Sequence, residues 1–257
     1  MDTWSDISYR ENIMETSSNI SIISKDTKNE LGIWFIHHKN DELTKYHFDL
    51  LKKHNPNATI FPIQDETKEG LPGAIKFDKK NIFWDMADMW MCCDTYIYRF
   101  FLSDICKEKK CKRYAYVEYD SHVSGDLANV YEPVWNKDAL CGPYVFDMDK
   151  EPKCGWWAEK HTTDTIKKYG NDFKNDMKAI DPFCGIFSSY DIFASITEKA
   201  KNPMFYSIFC DLRIGTIAKK LGIKMSEISE KFNKRVRASA VKVEDEPGFY
   251  HIVKTIQ

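Results

Sequence analysis

The segment RYAYVEYDSHV, from Arg113 to Val123, contains the clearest indication of the fold. Its first part, Tyr114 to Val117, contains Tyr and Val, which favour β-strands, so we predict a buried strand there. Polar residues follow directly, at Glu118, Asp120 and His122. Because side chains of an extended chain alternate between two faces, we expect these three to point to one side. Two carboxylates and an imidazole together form a candidate metal site, and an ordinary polar loop after a strand is the alternative.

Composition places the chain among globular proteins. Its 257 residues are 43% hydrophobic and 14% aromatic, which suffices for the core of one α/β domain or two small ones. The formal net charge of −2 argues against a nucleic-acid-binding protein that depends on overall positive charge. No apolar run approaches the roughly 20 residues of a transmembrane helix. The N-terminus lacks the basic and apolar segments of a signal peptide, so we expect a cytoplasmic protein.

The sequence contains eight cysteines. A small secreted domain held together by disulfides would be shorter and richer in cysteine. No Cys-x-x-Cys pair occurs, and Cys106 and Cys111 are not followed by a second pair with the spacing of a zinc site. We therefore expect free thiols in a reducing compartment.

The chain before this stretch has the pattern strand, helix, strand. Gly32 to His37 is an apolar run of strand length, Asp41 to His54 has helical spacing of apolar residues, and Ala58 to Ile63 is a second strand. Ligands of open α/β sheets bind outside the carboxyl ends of the strands, which makes His37 a candidate nucleotide contact. A polar strand end that leads into a helix explains His37 equally well.

Helices and strands continue to alternate along the rest of the chain. Apolar residues recur every three or four positions from Phe83 to Lys107, which predicts one long amphipathic helix with its stripe in the core. Leu140 to Phe146 and Ile180 to Ser188 are strand-like, whereas Thr163 to Met177 favours a broken helix and Tyr190 to Lys199 a short helix. This alternation predicts an α/β domain.

Three further positions are candidates for substrate binding or catalysis. The pair Trp156 and Trp157 would stack on sugar rings if exposed, because pyranose C–H faces are apolar, although burial is the commoner outcome for tryptophan. Phe205 to Met225 predicts a helix that ends at Gly222 and has Asp211 at its start. An N-cap role is the alternative interpretation of Asp211.

These features, taken in order, resemble those of GT-A glycosyltransferases over nearly the whole chain, from Gly32 to His251. Asp120-Ser121-His122 resembles the DxH form of the DxD motif, which in that family follows a hydrophobic strand. There the motif holds a divalent cation on the diphosphate of a sugar nucleotide. The resemblance implies Asp120, His122 and His251 as metal ligands, since many of these enzymes complete the metal shell with a late histidine. A histidine in an edge strand is the alternative for His251.

The same resemblance assigns roles to the other candidates. Asp65 matches an acid that contacts the base or ribose, and Glu118 would accept hydrogen bonds from ribose hydroxyls. Gly185 matches a glycine beside the donor sugar, where a residue without Cβ lets the backbone approach a ligand; a bulge glycine is the alternative. Asp211 matches the acidic residue at the start of the corresponding helix in inverting members, which implies that it is the general base of the transfer. Cys210 departs from the family, which commonly has Glu there.

The resemblance implies an α/β fold: a single GT-A domain with a Rossmann-like mixed central sheet flanked by helices, at residues 31–257, after a polar N-terminal arm at residues 1–30. The implied activity is metal-dependent, inverting transfer of a sugar from a nucleotide diphosphate sugar to a hydroxyl acceptor such as a glycan. Mn²⁺, or Mg²⁺, would be the cofactor and a UDP-sugar the donor. No nucleic-acid partner is expected.

Two other functions remain open at this point. A sugar-nucleotide pyrophosphorylase also places acids and a divalent ion on a nucleotide, but its glycine-rich and basic first loop is absent after His37. A non-catalytic GT-A-like module that binds a glycan or a protein partner is the second alternative. Hydrolysis of a nucleotide sugar in the presence of manganese distinguishes a transferase from a binding module.

Overall fold

The computed structural model describes residues 30–65, 69–77, 93–143, 145–147, 160–180, 185–228, 233–238 and 248–253. Its strands are β1 (Leu31–His37), β2 (Thr59–Asp65), β3 (Ile75–Phe77), β4 (Arg113–Glu118), β5 (His122–Val123), β6 (Ala139–Gly142), β7 (Val145–Asp147), β8 (Lys178–Ile180), β9 (Phe187–Ser189), β10 (Lys224–Glu227), β11 (Asn233–Ala238) and β12 (Phe249–Val253). Its α-helices are α1 (Glu42–His54), α2 (Thr95–Leu102), α3 (Asp104–Glu108), α4 (Leu127–Val130), α5 (Lys160–Asp176), α6 (Tyr190–Ala200) and α7 (Cys210–Lys220).

A seven-stranded mixed sheet with the order β10-β6-β9-β4-β1-β2-β3 forms the centre of the fold. Strand β1 pairs in parallel with β2 on one side and with β4 on the other. Strand β9 runs antiparallel to both β4 and β6. This arrangement confirms the predicted α/β fold with a mixed central sheet flanked by helices.

Both faces of the sheet are covered, which explains why all of β1 is buried. Trp34 and Ile36 pack into one core with residues of α2, α6 and α7, whereas Ile33 and Phe35 pack into a second core with residues of α1 and α4. Trp34 stacks on Tyr114 of the neighbouring strand, with 4.8 Å between ring centroids. Alternate side chains of one strand therefore anchor helices on opposite faces of the sheet.

Helix α1 begins and ends where its sequence predicts. The side chain of Asp41 accepts a hydrogen bond from the backbone N–H of Thr44 at 2.8 Å, as an N-cap residue does. At the other end, the backbone N–H of Asn55 bonds to carbonyls of the last turn. The side chain of Asn55 also accepts from the backbone N–H of Leu127 at 2.8 Å, so this helix end is tied to the start of α4.

Three predicted elements differ from the structure. The predicted helix from Phe83 to Lys107 is described only from residue 93, and there it is two helices separated at Ser103, whose backbone is extended and whose hydroxyl caps α3. The predicted strand from Leu140 to Phe146 is two strands, β6 and β7, in different sheets, and the segment from Ile180 to Ser188 divides in the same way into β8 and β9. Helix α5 is interrupted at Gly170, as predicted for a broken helix.

A three-stranded sheet, β11-β12-β5, brings the C-terminal part of the chain to the end of β4. Strand β12 runs antiparallel to β5 and places Tyr250 opposite His122.

Among the described helices, none combines the length and the apolar character needed to cross a bilayer. The five described cysteines form no disulfide, as expected for thiols.

Candidate metal and substrate site

A turn follows β4 and changes the predicted arrangement of the polar residues. The backbone N–H of Ser121 bonds to the carbonyl of Glu118 at 3.0 Å, which closes a turn between β4 and β5. The chain is therefore not extended from Glu118 to His122, and the alternation from which we predicted a common face does not apply. Asp120 lies in the turn and is buried, while the side chain of Glu118 is 17% exposed.

Strand β12 supplies the third member of the cluster that forms here. His251 Nε2 lies 3.2 Å from an oxygen of Glu118 and 3.3 Å from an oxygen of Asp120. One ligand atom from each of these three residues lies within 4.8 Å of the other two. In the described part of the chain this is the only group of three or more such ligands. The cluster stands at the carboxyl end of β4, the edge where open α/β sheets bind ligands.

The cluster has the chemistry of a site for a divalent cation. Two carboxylates offset the charge of the ion, and the imidazole adds a nitrogen ligand that Mn²⁺ accepts more readily than Mg²⁺ or Ca²⁺. The hydroxyl of Tyr116 donates to the other carboxylate oxygen of Glu118 at 3.4 Å, which helps to fix that side chain. Glu118, Asp120 and His251 therefore fit a bound metal ion.

His122 lies beside this cluster and is not one of its members. Its ring is 5.8 Å from that of His47 and 6.1 Å from that of Tyr250, measured between centroids. Burial, together with the neighbouring His47 and His54, lowers the pKa of His122 to about 4. The structure thus joins two of the three predicted metal ligands, Asp120 and His251, and adds Glu118 where we expected His122.

His37 is fully buried at the end of β1. The backbone N–H of Leu71 donates to His37 Nε2 at 3.0 Å, so the proton is on Nδ1, which faces the carbonyl of Phe35 at 3.4 Å. Burial lowers the pKa of His37. This hydrogen bond connects the segment after β2 to the end of β1.

Asp65 is the last residue of β2 and follows Gln64, which pairs with His37 across the sheet, so the backbone of Asp65 lies at the same edge of the sheet as His37. Contact of either residue with a nucleotide stays a prediction.

Gly185 has a structural reason to be glycine. Its φ of +89° is unfavourable for other residues, and an added Cβ would lie 2.8 Å from the hydroxyl oxygen of Tyr131. That hydroxyl donates to the carbonyl of Gly185 at 3.1 Å. These contacts account for the glycine without a ligand, and its predicted position beside the donor sugar stays a prediction.

Asp211 is the second residue of α7 and is fully buried. The N-cap is Phe209, which has no side-chain acceptor, so the N-cap interpretation of Asp211 is wrong. Cys210 Sγ lies 3.2 Å from Asp211 Oδ2 and 3.3 Å from Cys93 Sγ. Burial raises the pKa of Cys93 to about 12, so this thiol stays protonated. The role of Asp211 in catalysis stays a prediction.

A buried ion pair that the sequence did not indicate supports this region. Arg213 and Asp94 are both fully buried, and their side chains bond at 2.6 Å. The guanidinium also donates to the carbonyls of Phe205 and Ile208, at 3.0 and 2.7 Å, in the segment that leads into α7. The pair joins residues 119 positions apart, and no local pattern predicts such a partner.

The two tryptophans predicted to stack on sugar rings, Trp156 and Trp157, lie outside the described residues.

No protein-family model and no curated protein matches the sequence. Among solved structures, the chain is similar to an active-site mutant of LgtC, with 12% identity, 86% of each chain covered and a TM-score of 0.46. It is also similar to apo mouse xyloside xylosyltransferase 1, with 8% identity, 86% of this chain and 96% of the other covered, and a TM-score of 0.45. With TM-scores below 0.5, these similarities assign the chain to no family.

Proposed function

We propose that this protein is a metal-dependent glycosyltransferase that moves a sugar from a nucleotide diphosphate sugar to a hydroxyl acceptor such as a glycan. The observation that carries the proposal is the cluster of Glu118, Asp120 and His251 at the carboxyl end of β4. Residues 133 positions apart in the sequence meet there. The resemblance of the same segment to the DxD and DxH motifs supports a sugar nucleotide as the ligand.

In this proposal the three side chains hold one divalent cation, with Mn²⁺ favoured and Mg²⁺ second. When bound, the cation would offset the negative charge that develops on the departing diphosphate, an effect of several kcal/mol. Glu118 and Asp120 supply oxygen ligands and hold the negative charge that attracts the ion. His251 supplies a nitrogen from the C-terminal strand, which requires the neutral form of its ring.

The nucleotide would lie along the carboxyl ends of β1 and β2, near His37 and Asp65, and UDP is the nucleotide we favour. Asp211 is the carboxylate that would accept the proton of the acceptor hydroxyl, with inversion at the anomeric carbon as the predicted outcome. Its complete burial sets a condition for this role, because the acceptor must reach the start of α7. The anomeric configuration of the product tests this part separately, since retention would remove the need for such a base.

The test of the proposed function is to measure release of the nucleoside diphosphate from a panel of sugar nucleotides, with and without Mn²⁺. We expect manganese-dependent release from at least one UDP-sugar, and its loss in Asp120→Asn. His161→Asn, which changes an exposed histidine far along the chain in α5, is the control and should behave as wild type. Formation of a sugar nucleotide and pyrophosphate from a sugar 1-phosphate and a nucleoside triphosphate would indicate the pyrophosphorylase. Binding of a glycan without any turnover would indicate the non-catalytic module.

A further inference from the structure

Two buried histidines lie against each other beside the carboxylate cluster, and the proposed glycosyl transfer uses neither. His47 is on α1 and is fully buried, and His122 is in β5 and is 5% exposed. Their rings are perpendicular, with an interplanar angle of 89° and 5.8 Å between centroids. The pair therefore joins a helix on one face of the sheet to the short strand that follows the turn at Asp120.

The protonation of His47 is fixed by the backbone. Its Nδ1 lies 2.8 Å from the carbonyl oxygen of Tyr119, and a carbonyl can only accept, so Nδ1 carries the proton. Nε2 then presents a lone pair. Histidines that bind metal ions commonly donate their other ring N–H to a backbone carbonyl in this way, which orients the ring and raises its basicity.

Each ring has a buried nitrogen with no hydrogen-bond partner in the described part of the chain. These atoms are Nε2 of His47 and Nδ1 of His122. Buried polar atoms in proteins almost always have a partner, so two such atoms on neighbouring rings call for an explanation. Two aromatic rings lie beside that of His122: the rings of Tyr46 and Tyr250 are 5.9 and 6.1 Å from it, between centroids.

The spacing of the rings suits a shared ion. With a metal–nitrogen bond of about 2.0–2.1 Å, each ring centre lies about 3.2 Å from the metal, so two rings on one tetrahedral ion are roughly 5–6 Å apart. The observed 5.8 Å falls in that range. Water would fill the remaining positions.

We propose that His47 and His122 bind one divalent transition ion of the zinc, cobalt or copper class, at a site distinct from the cluster of Glu118, Asp120 and His251. The donor sets differ in kind. Two imidazoles prefer borderline ions such as Zn²⁺, whereas two carboxylates and one imidazole suit Mn²⁺. An ion on this histidine pair would tie α1 to the segment that carries Asp120 and would stabilise the folded protein by linkage.

Cobalt titration without any nucleotide tests this site independently of transferase activity. Co²⁺ serves as the probe because its visible d–d absorption reports coordination, while near-ultraviolet thiolate bands reveal cysteine ligands. We expect wild type to bind two ions without thiolate bands. His122→Asn and His47→Gln should each bind one, as should Asp120→Asn, which keeps the histidine pair. His161→Asn should match wild type. Melting temperatures without metal establish that each variant is folded.

The proposal fails if wild type binds a single ion that Asp120→Asn removes, because the histidine pair would then bind nothing. It also fails if His47→Gln and His122→Asn both retain two ions. If either variant does not fold, anomalous scattering from wild-type crystals soaked in CoCl₂ tests whether an ion binds between His47 and His122. A peak between the two rings supports the site, and density at the carboxylate cluster alone overturns it. Absence of transferase activity would not affect either result.

Discussion

Replacing Arg213 with methionine should destabilise this protein far more than replacing an exposed lysine of a similar ion pair. Arg213→Met preserves much of the apolar volume but removes the partner of Asp94, whose carboxylate stays fully buried. Tyr98 still donates to Asp94 at 2.7 Å, but the neighbouring positive charge is lost. The carbonyls of Phe205 and Ile208 lose their donors as well. Removal of one partner of a buried pair costs about 3–5 kcal/mol.

Lys201→Met is the matched control. Lys201 and Glu198 also lie 2.6 Å apart, but their side chains are 38% and 65% exposed, and such surface pairs contribute about 0–1 kcal/mol. For a chain of this size the Arg213 variant should melt roughly 6–20 °C below wild type, at 2–4 °C per kcal/mol. Thermal and urea unfolding measure the difference. If both variants lose the same stability to within about 1 kcal/mol, the buried pair is not what holds the start of α7.

The same variant should show a distinctive pH dependence. Burial raises the pKa of Asp94, and Arg213 is the main influence that opposes this. Without Arg213, the pKa of Asp94 in the folded protein lies further above its pKa in the unfolded chain. The variant therefore loses stability as the pH rises through the pKa that Asp94 has in the folded protein. The difference in stability between Arg213→Met and wild type should therefore become smaller as the pH is lowered through the raised pKa of Asp94. The additional substitution Asp94→Asn should remove this narrowing and recover part of the loss.

Three further substitutions have defined outcomes. Asp211→Asn should lower transfer by roughly 10²-fold or more with donor affinity nearly unchanged, and a wild-type rate would exclude it as the base. Gly185→Ala should cost more stability than Gly73→Ala, because both have positive φ but only Gly185 would bring a Cβ against Tyr131; equal losses in urea unfolding would contradict this. Ser103→Ala should lower stability by about 1 kcal/mol through loss of the cap of α3, and an unchanged urea midpoint would contradict it.

The sequence was sufficient to predict the helices and strands that depend on a pattern of neighbouring residues. The apolar run at β1 and the helical spacing of α1 between Asp41 and Asn55 appear in the structure within one or two residues. The break at Ser103 could have been foreseen, because Ser followed by Asp is a common helix start. We missed it because the hydrophobic stripe continues through both helices. Periodicity alone does not distinguish one helix from two in succession.

The site was predictable only in part, for a physical reason. The prediction that Asp120 and His251 approach each other came from a family resemblance, and pairing of β12 with β5 achieves it. Glu118 joins the cluster because the chain turns between Glu118 and Ser121. The prediction assumed an extended chain with alternating side chains, so it did not include this turn. That turn is also what separates His122 from the cluster.

The most direct test of the account is the position of manganese in crystals grown with Mn²⁺ and a UDP-sugar. We predict one anomalous peak within coordination distance of Glu118, Asp120 and His251, with the diphosphate of the donor on the same ion. Asp120→Asn crystals grown in the same way should lack the peak. A manganese ion bound instead by Asp120 and His122, or located away from the end of β4, would contradict the account.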